Sequence, residues 1–159
     1  MKTFIYILMT ILLISCKNDS QINNPQTYKY HYGDKFTLKI NDIAIISPLN
    51  TPNSSDSTIE ICFKKIINYG RCYKSQCYLC YGSLASIQIS MINQGDTAKL
   101  TLNIIGCDYT ETSCDEHYYY RKDTLGYRVC LIKLDPYTDY NNTPINPNDY
   151  IAKFQIAKL

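Results

Sequence analysis

At 159 residues, with 16 basic and 14 acidic side chains and a formal net charge of +2, the chain has room for one domain, or for one domain and a targeting segment. No basic run exceeds two residues, which argues against a binder of nucleic acid held by charge. Tyrosine is abundant at 16 and tryptophan absent; with frequent Asn, Ile and Lys this reads as the codon bias of AT-rich DNA, or, more sharply, as a tyrosine-rich recognition surface.

Met1 and Lys2 form a positive start, and Phe4 to Ile14 is an apolar run shorter than the roughly 20 residues that cross a hydrocarbon core. Such a segment reads as a secretory signal. It ends in Leu13-Ile14-Ser15-Cys16, which resembles the bacterial lipobox, and the resemblance implies a covalent lipid on Cys16 with cleavage just before it. Three acyl chains far exceed the marginal anchoring of one. The chain therefore divides into a signal over 1–15, a lipidated cysteine with a flexible polar tether over 16–26, and a folded domain over 27–159. Lys17 directly after Cys16 fits transfer to the outer membrane. The expected location is the cell envelope, lipid-anchored at the outer membrane, on either its periplasmic or its exposed face.

From Lys35 the pattern is that of strands. Phe36, Leu38 and Ile40 alternate with Thr37 and Lys39, and Ile43 to Ile46 continues the apolar signal up to Ser47-Pro48. After the turn-forming 50–57, Ile59, Ile61 and Phe63 alternate with polar or small neighbours. Ile87, Ile89 and Met91 follow, and Asn93-Gln94-Gly95-Asp96 closes a hairpin onto Leu100, Leu102 and Ile104. Late strands run from Tyr127 to Leu134, ended by Pro136, and from Tyr150 to Ala157, with a long surface loop from Thr138 to Asn148 between them. Six or seven strands without a sustained helical period predict an all-β fold: an antiparallel β-sandwich, immunoglobulin-like in architecture, with a small β-barrel as the alternative.

The cysteines punctuate this pattern. Export would place Cys62, Cys72, Cys77, Cys80, Cys107, Cys114 and Cys130 in an oxidising compartment where bridges form. The stretch from Gly70 to Gly82 reads as a stapled turn between two strands, with Cys72 within reach of Cys77 or Cys80. Cys107 and Cys114 bracket a short tip, and such short loops would each contribute roughly 2–3 kcal/mol. Cys62 and Cys130 lie on the outward phase of their strands and would bridge if those strands were neighbours, for roughly 4 kcal/mol. The thiol left over is Cys77 or Cys80.

Sharper chemistry has thinner support. Cys72, Cys77 and Cys80 with Cys107 imitate the spacing of a [2Fe–2S] site, but bulky Tyr73, Tyr78 and Tyr81 fill the places where backbone amides would reach the cluster. Cys77, Cys80, Cys114 and His117 have the ligand types of a zinc or thiol-redox centre. No serine sits in a nucleophile elbow beside His31 or His117. The acidic run of Asp108, Glu111, Asp115, Glu116 and Asp123 reads as a solvated loop rather than a calcium site. No metal site, cofactor or catalytic residue is therefore assigned, and the expectation is a non-enzymatic protein.

Gly70-Arg71-Cys72 with Gly82 ten residues on, the alternation from Ala85 to Ile89, Tyr127-Arg128-Val129-Cys130-Leu131, Leu134-Asp135-Pro136-Tyr137 and Tyr150-Ile151-Ala152-Lys153-Phe154 together form a pattern. It resembles small bacterial lipoproteins of unknown function that carry a Ser-Arg-Cys-Pro turn and a Cys-x-Trp-Ala-Gly element. Here Tyr73 replaces the proline, Cys80 stands where the tryptophan would, and Cys77 comes one position early, so the turn bridge of that family is not carried over. The resemblance implies a compact β-domain on a lipid anchor and no activity. The leading expectation is a membrane-anchored binding or envelope-structural module that touches lipid through its N-terminus and an unidentified protein or glycan through its domain. Alternatives are an envelope metal, redox or thiol protein using Cys77, Cys80, Cys114 or His117, and a small inhibitor of secreted proteases.

Overall fold

The computed structural model of the chain describes residues 24–49, 58–69, 84–105, 114, 120–136 and 145–159. In chain order its strands are β1 (Thr27–His31), β2 (Lys35–Lys39), β3 (Ile43–Ser47), β4 (Ile59–Tyr69), β5 (Leu84–Asn93), β6 (Asp96–Ile105), β7 (Arg121–Thr124), β8 (Tyr127–Asp135) and β9 (Ile151–Lys158). Period-two alternation sorts each strand into a wet and a dry face. In β2, Phe36 and Leu38 are buried while Lys35, Thr37 and Lys39 are exposed.

The strands form two sheets, ordered β1-β3-β4-β5-β6 and β2-β9-β8-β7. They face each other as the two layers of an all-β sandwich. Edges persist at β1, β6, β2 and β7, so the sheets do not close into a barrel. Pairing is antiparallel except between β1 and β3, which run parallel. That exception follows from two short crossings: Tyr32–Asp34 carries the chain from the first sheet to β2 in the second, and Ile40–Asp42 carries it back.

Turn chemistry fixes these reversals. Gln94 (φ 51) with Gly95 (φ 92), and Leu125 (φ 49) with Gly126 (φ 82), are two-residue turns with both central residues left-handed, the geometry whose twist matches paired strands. The first crossing is pinned to β9, where Gly33 N–H donates to the Ile156 carbonyl at 2.9 Å. The second is pinned to β4, where Asn41 N–H donates to the Phe63 carbonyl at 2.7 Å.

Between the layers lies one apolar cluster centred on Phe154, which is fully buried. Its ring meets Phe36 at 5.8 Å from the same sheet and Phe63 edge-on at 6.3 Å from the other. Burying each such large side chain stabilises the fold by roughly 1.5–3 kcal/mol. Leu131, Ile156, Ile61, Ile87, Ile89 and Leu102 complete the same cluster from both layers.

Among the described residues nine strands form where six or seven are expected. β1 lies upstream of the first expected strand, and β7 lies in a stretch expected to be an acidic loop. β7 forms because the Leu125-Gly126 turn brings Asp123 back onto Arg128, whose Nε and Nη2 donate to its carboxylate at 2.9 and 3.0 Å. The apolar signal from Phe36 to Ile46 is two strands in different sheets, parted where Asn41 takes a φ of 74. The cysteine-rich 70–82 lies outside the described residues, although the strands it joins, β4 and β5, are paired, with Tyr69 opposite Ala85. Of the loop expected from Thr138 to Asn148, the described end is a 3-10 turn at Pro147–Asp149, capped by Asn146 through Asn148 N–H at 3.0 Å.

Candidate functional site

The sandwich has two seams, where the edge strands of its sheets meet. At one of them β1 faces β2. Alternation in β1 aims Tyr28 and Tyr30 inward and leaves Thr27, Lys29 and His31 exposed. Tyr30 stacks on Phe36 with centroids 4.8 Å apart, and Tyr28 lies 6.3 Å from Tyr30. Just past β1, Tyr32 stacks on Tyr127 at 5.4 Å, and the two hydroxyls share a hydrogen bond of 3.0 Å. Tyr28 and Tyr30 thus close this seam, and Tyr32 continues the aromatic file toward the start of β8.

Asp42 holds the seam together. It is only 7% exposed, and burying a carboxylate is costly unless its oxygens find donors. Oδ1 accepts from Gln26 N–H and Oδ2 from Lys39 N–H, each at 3.1 Å. Its own N–H donates to the Lys39 carbonyl at 3.0 Å, and Ile43 N–H donates to the Gln26 carbonyl at 2.9 Å. One side chain therefore ties the start of β1, the end of β2 and the start of β3. Burial, then the neighbouring Tyr28 and the Asp42 charge, push the Tyr30 phenol above its ordinary value.

Two adjoining hollows open along this seam. One of about 260 Å³ is lined by Asn24, Gln26, Tyr28, Lys39, Ile40 and Asp42. The other, of about 130 Å³, shares Tyr28, Lys39 and Asp42 and adds Tyr30, Thr37, Leu38 and Ile151. The Tyr28 hydroxyl donates to Gln26 Oε1 on the rim. The polar groups gathered here are two phenols, the Thr37 hydroxyl, two carboxamides, the Asp42 carboxylate and the Lys39 ammonium, beside the tyrosine ring faces. They suit a small polar ligand that stacks and hydrogen-bonds. His31 Nδ1 lies 3.6 Å from Asp34 Oδ2, with both side chains about half exposed. Asp34 also accepts from His31 N–H at 2.8 Å, which makes the pair part of the turn.

Of the residues singled out from sequence, Cys114 and Cys130 are joined in a disulfide, with Cα atoms 5.5 Å apart. This corrects both expected pairings of these residues, Cys107 with Cys114 and Cys62 with Cys130. Cys62 stands opposite Ile43 and Ser90 in the first sheet, whereas Cys130 stands opposite Arg121 and Gln155 in the second. Both belong to the outward phase of their strands, so the two sulfurs point away from each other across the whole sandwich. Cys114 reaches Cys130 because β7 folds back on β8; Arg121, opposite Cys130, also donates to the Cys114 carbonyl at 3.5 Å. Cys62 is likewise disulfide-bonded, to a cysteine outside the described residues. Cys16, Cys72, Cys77, Cys80, Cys107 and His117 all lie outside them.

Cys114 in a disulfide offers no thiolate to a metal, which removes it from the centre considered with Cys77, Cys80 and His117. Among the described residues no three His, Cys, Asp or Glu side chains gather as metal ligands, and no helix is long and apolar enough to cross a membrane. Sequence reasoning missed Tyr28, Tyr30 and Asp42. The signal for the tyrosines was the alternation Tyr28-x-Tyr30-x-Tyr32; an isolated aspartate between two apolar runs gave none for Asp42. The chain matches no family model, no curated protein and no solved structure.

Proposed function

We propose that this chain is a non-enzymatic binding module of the bacterial envelope, held at the outer membrane by lipid on Cys16 and binding a glycan or protein segment at the β1–β2 seam. The observation that carries the binding role is the seam itself, where two partly exposed tyrosines, Tyr28 and Tyr30, and the buried Asp42 carboxylate line two polar hollows open to the surface. Polar groups at such a place weaken packing relative to aliphatic ones, and recognition supplies a reason for them. The anchor rests on the lipobox-like Leu13-Ile14-Ser15-Cys16 after an apolar run and on the resemblance to small lipoproteins.

Expression of the full chain in a Gram-negative host, beside Cys16→Ser, tests the anchor. The expected product begins at Cys16, carries acyl mass and sediments with membranes, while the serine variant does neither. An unmodified Cys16 in a membrane-free product would end this reading. Binding of an oligosaccharide and peptide panel, with loss in Tyr28→Ala, tests the seam; affinity unchanged in that variant would place the ligand elsewhere.

A further inference from the structure

The edges of the sandwich are guarded unequally. β1, β2 and β7 run only five, five and four residues, and side chains cap two of them: Asp34 takes the His31 amide and Asp42 the Lys39 amide. β6 is an edge of ten residues, paired with β5 from end to end without a bulge. Short length, bulges, prolines and charges are the devices that keep an edge from pairing with another chain. Between Thr97 and Ile104 there is no proline, and Lys99 alone is charged. The two-residue turn makes Asn93 and Asp96 a hydrogen-bonded pair, so Asp96, Ala98, Leu100, Leu102 and Ile104 bond to β5. The amides and carbonyls of Thr97, Lys99, Thr101 and Asn103 point away from the sheet. Among the described residues none of these groups has a partner, and Thr97, Lys99 and Thr101 are exposed.

We infer that β6 pairs antiparallel with β6 of a second copy of this chain about a twofold axis, joining two five-stranded sheets into one. The pattern along the strand fits a copy of itself and sets the register. The outward groups belong to odd-numbered residues, so self-pairing brings odd opposite odd. With Lys99 opposite Lys99, like charges would meet on the axis, which destabilises a sheet. With Thr101 on the axis, half-buried Leu100 would face Leu102, which is already fully buried and gains nothing. With Leu100 on the axis, Lys99 stands opposite Thr101 and Thr97 opposite Asn103, and about eight backbone bonds form. Leu100 then meets its mate as a pair without backbone bonds, at the closest cross-strand spacing, burying apolar surface that one copy leaves wet. Any extended strand would satisfy the amides, but this match of Leu100 to itself, with Lys99 beside a hydroxyl, is a property of the strand's own sequence. β1 stands at the opposite edge, so the pairing leaves both tyrosine seams open, one at each end of the joined sheet.

Sedimentation of the full chain in density-matched detergent over a range of concentrations, with amide hydrogen exchange on the same samples, tests the pairing. A dimer is expected, with exchange at Thr97, Lys99, Thr101 and Asn103 slowed about tenfold or more as it forms. Thr101→Lys, at an exposed position, sets a like charge opposite Lys99 twice over and should weaken the dimer roughly tenfold; adding Lys99→Glu turns both contacts into opposite pairs and should restore it. Leu100→Cys should form a disulfide between copies under mild oxidation, because its Cβ atoms come within bridging distance. Thr97→Cys should not, its two copies lying about 20 Å apart along the strands. A monomer at every concentration would overturn the inference; slow exchange of those amides in that monomer would assign the edge to this chain's own residues. A dimer whose β6 amides still exchange fast, or one that Thr101→Lys leaves intact, would overturn it as well. Should a variant fail to fold, the mass and exchange of the unaltered chain decide.

Discussion

The two seams of the sandwich are built differently. At β6–β7, half-buried Leu100 and Leu125 pack against the core, and Asn93 Nδ2 donates to the Leu125 carbonyl at 3.3 Å, tying two hairpin tips together. At β1–β2, the same job of closing the layers is done by tyrosines and by Asp42, which bonds backbone amides of two strands. The first arrangement excludes water from a core. The second keeps donors, acceptors and ring faces at the surface, with hollows between them, and so combines structural closure with the capacity to bind.

Phe154 belongs to neither seam and supports both. Phe154→Ala should cost roughly 3–5 kcal/mol, read as a lowered denaturant midpoint, with hydrogen exchange quickened on both sides. Loss of the bridge should separate them. In Cys114→Ser with Cys130→Ser, a closed loop of 16 residues is released, for about 3 kcal/mol, and exchange should quicken along β7 and β8 while β1 keeps its protection. Asp42→Ala should do the reverse. It leaves two part-buried amides without their acceptor, at about 1–2 kcal/mol, freeing β1 while β5 and β6 stay protected, and Asp42→Asn, with one acceptor oxygen left, should fall between.

Asn41 offers a smaller test of the same corner. Its φ of 74 suits glycine, and its Oδ1 is buried without a hydrogen-bond partner. Asn41→Gly should therefore be neutral or stabilising by up to about 1 kcal/mol, seen as an unchanged or raised melting temperature; a clear loss would show that the amide has a role. The smallest effects come from pH. Tyr30 binds its proton more tightly folded than unfolded, so its contribution is whole below the ordinary phenol value and is lost as pH rises through the raised one. Asp123 is held low by its hydrogen bonds to Arg128, so its contribution is whole above the ordinary carboxylate value and is lost as pH falls through the lowered one. Alkali should loosen the tyrosine seam first and acid the β7–β8 hairpin, by residue-resolved exchange.

The regular part of the fold was legible. Phe36 and Leu38, Ile59 to Phe63, Ile87 to Met91 and the Asn93–Asp96 hairpin declare their strands because alternation and turn chemistry are local. Layer assignment was not: Phe36 to Ile46 reads as one apolar run, and the crossing at Asn41 shows only in its left-handed backbone. The site was illegible for a related reason. Asp42 matters through amides at Gln26 and Lys39, brought to it by the fold, and no spacing announces such a contact. The cysteine pairing failed similarly, since Cys130 is joined to whatever β7 carries to it, and β7 was hidden in an acidic stretch.

The claim that the β1–β2 seam is the binding surface is tested most directly by mapping backbone amide shifts while the oligosaccharide and peptide panel is titrated into the protein. Shifts concentrated at Tyr28, Thr37, Lys39 and Ile151, abolished by Tyr28→Ala, are the predicted result. Saturable shifts gathered at the β5–β6 and β7–β8 tips, with the tyrosine seam unmoved, would contradict it.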